Sequence, residues 1–291
     1  MGGLLHPLED GRARPDRQLV ATLIADQLPE LPDLSLLPVE PQGWDNTTYR
    51  LGADYTVRLP TAPRYAPQVH REARALPHLA RHVSIGIPEI VFVGAPTAVY
   101  PHPWSVRRWV EGQTLAAPGK RLAVDLAHAL LDLQAAPALE AMEPGPDSFH
   151  RGGSLGSWRG SFEAALSRLG SLAAPTRRVW DEAMKTESTS VTWTHGDIAP
   201  GNLLLREGRL AAIIDWGLVS VGDPACDLAI AWRSFDAEAR AAFLDIVSPD
   251  EGMMMRGKAW AVWKLALIAT GVAGEGGGTA HTARMRLEAI V

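Results

Sequence analysis

The period of the apolar positions changes once along the chain. Up to about residue 111 they favour short strands, and beyond it they recur at helical spacing. Leu19, Leu23 and Ile24 predict one face of a helix over Asp16–Gln27. β-formers around turn residues then predict an antiparallel meander through Pro38–Glu40, Gly43–Gly52 and Tyr55–Leu59. Ala66–Leu76 reads as a helix that Pro77 ends or kinks, with a shorter helix through Arg81. Three further strands are expected at Pro88–Val93, Ala98–Tyr100 and Ser105–Val110.

After Trp109-Val110-Glu111-Gly112 the pattern is mainly helical. Leu122, Leu126, Leu130 and Leu133 form an apolar stripe, and Phe162–Leu169, Ala237–Ile246 and Arg256–Ile268 read as further helices. One hairpin interrupts them: Leu203–Leu205 and Leu210–Ile214 are apolar, with Glu207-Gly208 between them as turn residues. The expected organisation is a smaller β-rich lobe over residues 1–111 and a larger helical lobe over 112–291. Polar residues 1–16 read as a flexible tail. Gly271–Gly278, with five glycines, reads as a flexible loop before a last helix.

Composition narrows the partners. The 291 residues are 46% hydrophobic and 21% charged, with a net charge of −5, ordinary for a soluble globular protein and unlike a nucleic-acid binder with a clustered basic face. Cys226 is the one cysteine, so no intramolecular disulfide can form. The N-terminus lacks the apolar core of a signal peptide. The run Ala259–Ala269 is broken by Lys264 and falls short of the roughly 20 apolar residues of a membrane span. These features predict a cytoplasmic protein with no membrane, nucleic-acid or protein partner implied.

The chemistry concentrates in Thr194–Trp232, where Asp197, Asn202, Asp215 and Asp223 stand at fixed offsets around the hairpin. A hairpin returns on itself, so Asn202 and Asp215 should lie close together in space. Moving a phosphoryl group onto a hydroxyl needs a carboxylate to orient the hydroxyl and accept its proton, and a divalent ion to clamp the phosphates. Asp197 can be that base, with Asn202 and Asp215 as oxygen ligands for Mg²⁺. Protein kinases carry H-R-D-x-x-x-x-N followed by D-F-G. Here the chain reads His195-Gly196-Asp197, four residues, Asn202, and then Asp215-Trp216-Gly217. Each part has a plain reading too: His-Gly-Asp is an ordinary turn, Asp215 can simply end a strand, and Asp223 before Pro224 fits a helix N-cap.

Taken together, these residues resemble the aminoglycoside phosphotransferase family, kinase-like enzymes related in fold to choline kinases and small-sugar kinases. In that family H-G-D replaces H-R-D, D-x-G follows the Asn after a short hairpin, and G-D-P-x-x-D-L-A begins a helix, matched by Gly222–Ala229. The resemblance is specific over about 40 residues and looser over the rest. It implies an α+β, protein-kinase-like two-lobed fold, with a small antiparallel β-sheet N-lobe and a larger, mainly helical C-lobe. It also implies ATP or GTP as donor, Mg²⁺ as cofactor and a small hydroxyl-bearing acceptor, an aminoglycoside-type antibiotic first among them. By the same resemblance Asp227 braces the catalytic loop. A metabolite kinase acting on choline, homoserine or a sugar is the alternative, and a catalytically silent nucleotide-binding module the second.

On the nucleotide side the resemblance places a phosphate-covering loop in Gly43–Gly52, cradling through the amides of Asn46, Thr47 and Thr48. Arg58 stands where a Lys is usual. Its fork can grip phosphate bidentately, at a different angle from an ammonium. Glu72 is its expected helix partner, and Trp109 and Val110 would offer backbone groups to the base. Acidic residues such as Glu163, Asp181, Glu182, Asp236, Glu238 and Glu275 could attract a cationic acceptor, and Trp158, Trp232, Trp260 and Trp263 could line a sugar-stacking wall. A metal-dependent hydrolase could also use His195, Asp197 and Asp215, but it would want a second His or a Glu cluster at ligand spacing.

Overall fold

The computed structural model describes residues 5–8, 11–31, 34–114, 118–272 and 278–291. Two compact units divide the chain: residues up to Arg81 with Gly86–Glu111, and His82–Ile85 with Gly112–Val291.

The first unit is built on period-two alternation. Strands β1 (Leu5–Pro7) and β2 (Ala13–Pro15) pair antiparallel, so part of the segment expected as a tail is a hairpin instead. The Ala13 amide donates to the Thr61 carbonyl, fastening that hairpin to the rest of the unit. Helix α1 (Arg17–Gln27) begins where Asp16 accepts the Leu19 amide at 2.8 Å. Strands β3 (Leu36–Pro38), β4 (Asn46–Leu51) and β5 (Tyr55–Pro60) precede helix α2 (Ala66–Leu79); β6 (Ile90–Gly94) and β7 (Trp104–Arg108) follow it. The five strands β3 to β7 form an antiparallel sheet in the order β3-β4-β5-β7-β6.

Register sorts this sheet into two chemically distinct faces. Tyr49, Val57 and Val106 stand side by side, and with Leu51, Leu59 and Trp104 they pack against Leu19, Val20, Leu23 and Ile24 of α1. On the alternate positions Thr48 pairs with Arg58, Arg50 with Thr56, Thr56 with Arg107 and Arg58 with Ser105. That second face is polar and meets α2 through Glu72. Pro77 lies inside α2 without ending it, and Ala98–Tyr100, expected as a strand, is irregular.

The second unit wraps helices around one short β segment. Helix α3 (Lys120–Ala135) buries the predicted Leu122, Leu126, Leu130 and Leu133 stripe. Helices α4 (Arg159–Leu166) and α5 (Ala173–Ala183) follow, the second without a counterpart among the expected helices. Strand β8 (Thr192–Thr194) pairs with β11 (Ser220–Gly222), enclosing the predicted hairpin β9 (Leu203–Arg206) and β10 (Arg209–Ile213). Short helix α6 (Ile230–Arg233), then α7 (Ala237–Val247), α8 (Glu251–Ala269) and α9 (Gly278–Glu288) complete the unit. From Ala259 to Ile268, α8 is buried on nearly every side except at Lys264, as expected of a central helix. No described helix is long and apolar enough to cross a membrane. The glycine-rich stretch, apart from Gly271, Val272 and the start of α9, lies outside the described residues.

Candidate active site

The loop from β8 into the hairpin is held by one buried carboxylate. Asp227, 1% exposed, accepts the His195 amide at 2.7 Å and the Gly196 amide at 2.8 Å. Burial raises its pKa above the ordinary carboxylate value, opposed by His195 and the two amides. Gly196 has φ +83°, and a Cβ there would stand 2.6 Å from the Leu218 carbonyl oxygen, so no other residue fits this turn without moving its neighbours.

His195 is a fully buried structural link. Its Nδ1 accepts the Asp197 amide at 3.2 Å, which leaves Nε2–H to donate to the Ile214 carbonyl at 3.0 Å. Trp216 packs edge-on against the ring at 4.6 Å and donates its indole N–H to the Ile213 carbonyl. Asn202 closes the loop: its Nδ2 donates to the Asp197 carbonyl at 2.9 Å, and its own carbonyl accepts the Ile214 amide at 2.9 Å. Asp197, Asn202 and the residue before Asp215 are therefore joined by hydrogen bonds, as the hairpin geometry requires.

Asp215 is half-buried and follows β10 in the left-handed region at φ +64°, which non-glycine residues seldom adopt and Asp tolerates better than most. The donor set fits a hard divalent cation. With Nδ2 committed to Asp197, the amide oxygen is the end of Asn202 left for a metal, beside a carboxylate one residue beyond its main-chain partner. Among the described residues no group of three His, Cys, Asp or Glu could hold a metal ion, although His78 and His82 stand four apart. Remaining ligands would have to be water and phosphate oxygens, as suits Mg²⁺ and not a hydrolase cluster.

A second buried acid ties the turn after β11 to α8. Asp223 caps the turn Pro224–Ala229 by accepting the Ala225 amide, and Arg256 of α8 donates to it through Nε at 2.7 Å and Nη2 at 3.3 Å. Arg256 also reaches the Thr186 hydroxyl and the Glu187 carbonyl. Cys226 lies between these acids, fully buried, and its thiol is pushed well above the ordinary value by burial and by Asp227 and Asp223.

In the first unit the nucleotide candidates sort differently from expectation. Asn46, Thr47 and Thr48 lie in paired strand β4, not in a loop; the turn precedes them, and the Thr48 amide donates to Gln42 Oε1 at 2.9 Å. Thr47 belongs to the buried apolar side, 3% exposed, while Thr48 stands opposite Arg58 on the polar side. Alternation along the strand puts the Thr48 side chain on the polar face and that of Thr47 on the apolar one. Arg58 does reach Glu72, at 3.5 Å. The Trp109 amide is committed to the Asp54 carbonyl, and Arg50 stacks on its ring at 4.3 Å. Val110 is half-buried beside it.

The acceptor candidates are largely occupied. Glu163 pairs with Arg177, Glu182 with Lys185 and Glu238 with Lys120, while Asp236 caps α7. Glu275 lies outside the described residues. Trp158, Trp260 and Trp263 surround the Arg151 guanidinium at 5.3, 5.4 and 4.6 Å, and the latter two are 1% exposed, so these rings form an internal cation–π cluster and not an open wall. Trp232 is buried as well. Arg107, Arg151 and Arg256 were not singled out from sequence, because the acid or ring that each meets is remote along the chain.

An antiparallel sheet unit, a helical unit and the hydrogen-bonded loop–hairpin define an α+β fold of the protein-kinase-like class. The chain belongs to the phosphotransferase enzyme family (APH), whose model matches residues 37–263. It is 42% identical over 61 residues to an aminoglycoside 3'-phosphotransferase of Escherichia coli, a match spanning 20% of this chain and 22% of that relative's length. Among solved structures it resembles the GDP complex of aminoglycoside 2'-phosphotransferase-IIIa, with a TM-score of 0.76 and 20% identity, covering 94% of this chain and 98% of that one. It also resembles a macrolide 2'-phosphotransferase from Brachybacterium faecium, with a TM-score of 0.61 and 20% identity, covering 92% and 97%. At these identities the two structural likenesses speak for the fold.

Proposed function

We propose that this protein transfers the γ-phosphoryl group of ATP or GTP to a hydroxyl of a small molecule, with an aminoglycoside-type antibiotic as the foremost acceptor. The observation that carries the reading is the loop in which Asp227 fixes the His195-Gly196 turn and Asn202 ties the Asp197 main chain. No hydrogen bond from a described residue occupies the half-buried Asp197 carboxylate, which leaves it available to an incoming hydroxyl. Asp197 would orient that hydroxyl and take its proton as the oxygen bonds to phosphorus and the bond to the β-phosphate oxygen breaks. Asn202 and Asp215 would hold Mg²⁺, which when bound neutralises phosphate charge. Arg58 and Thr48, side by side on the polar sheet face, would meet the phosphates. A donor of this kind implies a compartment that supplies it, the cytoplasm.

Support for the acceptor class comes from the relatives, which are named for aminoglycosides and a macrolide. The test is a coupled assay of nucleoside diphosphate release, run with Mg·ATP and Mg·GTP against aminoglycosides, macrolides, choline, homoserine and small sugars. Acceptor-dependent release that disappears in Asp197→Ala, with nucleotide binding retained, is the expected result. Release from a metabolite alone would reassign the acceptor. Nucleotide binding without transfer to any acceptor would favour the silent module.

A further inference from the structure

The turn that leads into β4, Gly43–Asp45, is tied to the N-terminal hairpin through its carbonyls. Arg12, 7% exposed, donates through Nη1 to the Trp44 carbonyl at 2.9 Å, and its guanidinium lies 3.6 Å from the centre of the Trp44 ring. Arg14 reaches the Gly43 carbonyl through Nη2 at 3.4 Å. Just past β5, the Thr61 amide donates to the Asp45 carbonyl at 2.9 Å, and the Thr61 hydroxyl stands 3.0 Å from the carbonyls of both Trp44 and Asp45. Thr61 is itself fastened to the hairpin, since its carbonyl accepts the Ala13 amide at 2.7 Å. Trp44 stays 46% exposed, so apolar burial alone does not hold the turn.

Three successive carbonyls therefore face the hairpin and Thr61. In a planar trans peptide the N–H points opposite to the C=O, so the amides of Trp44, Asp45 and Asn46 are aimed the other way. Successive N–H groups on one side of a turn suit an anion, which carbonyls on that side would repel. The turn runs directly into β4, whose Thr48 meets the donor phosphates in the reading above. Resting on that phosphotransferase reading, we propose that the N-terminal hairpin is a strap that presents the Gly43–Asp45 turn to the donor's phosphates. Arg12 and Thr61 are its positioning residues, and neither touches the nucleotide. Because they hold the carbonyls back, the turn is ordered before the nucleotide arrives, and less entropy is lost on binding. The sequence explains the need for a strap. Gly43–Gly52 lacks the G-x-G-x-x-G density with which a kinase loop brings its backbone close to phosphate.

The test combines calorimetry of Mg·ATP and Mg·GTP, thermal melting, and amide hydrogen exchange of residues 43–46. In the wild-type protein the nucleotide that binds should slow exchange in this segment. Arg12→Met should speed exchange there in the free protein and weaken nucleotide binding by about tenfold. Arg12→Lys, which keeps the charge but not the flat fork, should fall between Met and wild type. Thr61→Val removes the hydroxyl from the same carbonyls without altering the hairpin, and it should weaken binding in the same direction. Affinity kept in Arg12→Met, even with a lower melting temperature, overturns the strap. So does a wild-type protein that binds nucleotide with no slowing of exchange at residues 43–46. If Arg12→Met does not fold, Arg12→Lys and Thr61→Val decide on the same readouts. Failure of the wild-type protein to bind either nucleotide would instead remove the phosphotransferase reading, and this inference with it.

Discussion

Asp223 and Arg256, thirty-three residues apart, form a buried ion pair that joins the turn after β11 to the central helix of the second unit. Arg256 is 7% exposed and Asp223 9%, so neither charge has water to fall back on. Removing one partner of such a pair leaves the other buried and uncompensated. Arg256→Met should therefore destabilise the protein by about 3–5 kcal/mol. Denaturant unfolding checks the size, and a change below about 1 kcal/mol would mean that the pair is solvated after all.

Asp227 offers two oxygens to two amides, and only a carboxylate can do so without presenting a donor to one of them. Asp227→Asn should turn an N–H₂ towards either His195 or Gly196 and cost about 1–3 kcal/mol. The disturbance falls on the loop that carries Asp197, so turnover should drop more than the KM for nucleotide. Equal kcat in the variant and the parent would show that the loop does not need this brace.

Asp215→Asn keeps the left-handed backbone tolerable but removes a charge from the donor set, whereas Asp215→Val adds a β-branched side chain at φ +64°. The first should shift the Mg²⁺ requirement of nucleotide binding to higher concentration with little loss of melting temperature. The second should lower both. A titration of nucleotide binding against Mg²⁺ that is the same in all three proteins would exclude Asp215 as a ligand.

Asp125 of α3 carries a pH signature. Its pKa is lowered chiefly by its hydrogen bond to Arg209 of β10, which also donates at 2.7 and 2.8 Å in a fork. A depressed folded pKa adds stability above the unfolded value, and that stability is lost as pH falls through the folded value. Asp125→Asn should thus lower the melting temperature slightly near neutral pH and not at all in strong acid. Arg209 is exposed, so the difference should also shrink with added salt.

Much of this was legible because it depends on short-range pattern. The alternation in Tyr55–Leu59, the stripe from Leu122 to Leu133 and the turn at Glu207-Gly208 each fix a local structure with little outside help. The order of His195, Asp197, Asn202 and Asp215 was readable for the same reason, since a hairpin joins them. The start of β4 at Asn46 is hard to place from sequence because turn-forming residues precede it, and a turn and the first residues of its strand share that composition. Ala98–Tyr100 has β-formers but no partner strand among the described residues. Arg107 and Arg256 were invisible for a different reason. A buried Arg looks like a surface Arg until the fold brings an acid to it, and Glu72 and Asp223 come from elements 35 and 33 residues away.

The packing around Cys226 has a practical consequence. Its thiol is buried beside Asp227, which holds the His195-Gly196 turn, and burial and two nearby acids suppress its ionisation, so a thiol reagent meets it only when that region opens. Being the one cysteine in the chain, it gives a single, unambiguous labelling clock. Modification should be very slow in the native protein and faster in Arg256→Met. Its rate would then read how often the loop comes apart, without any engineered probe.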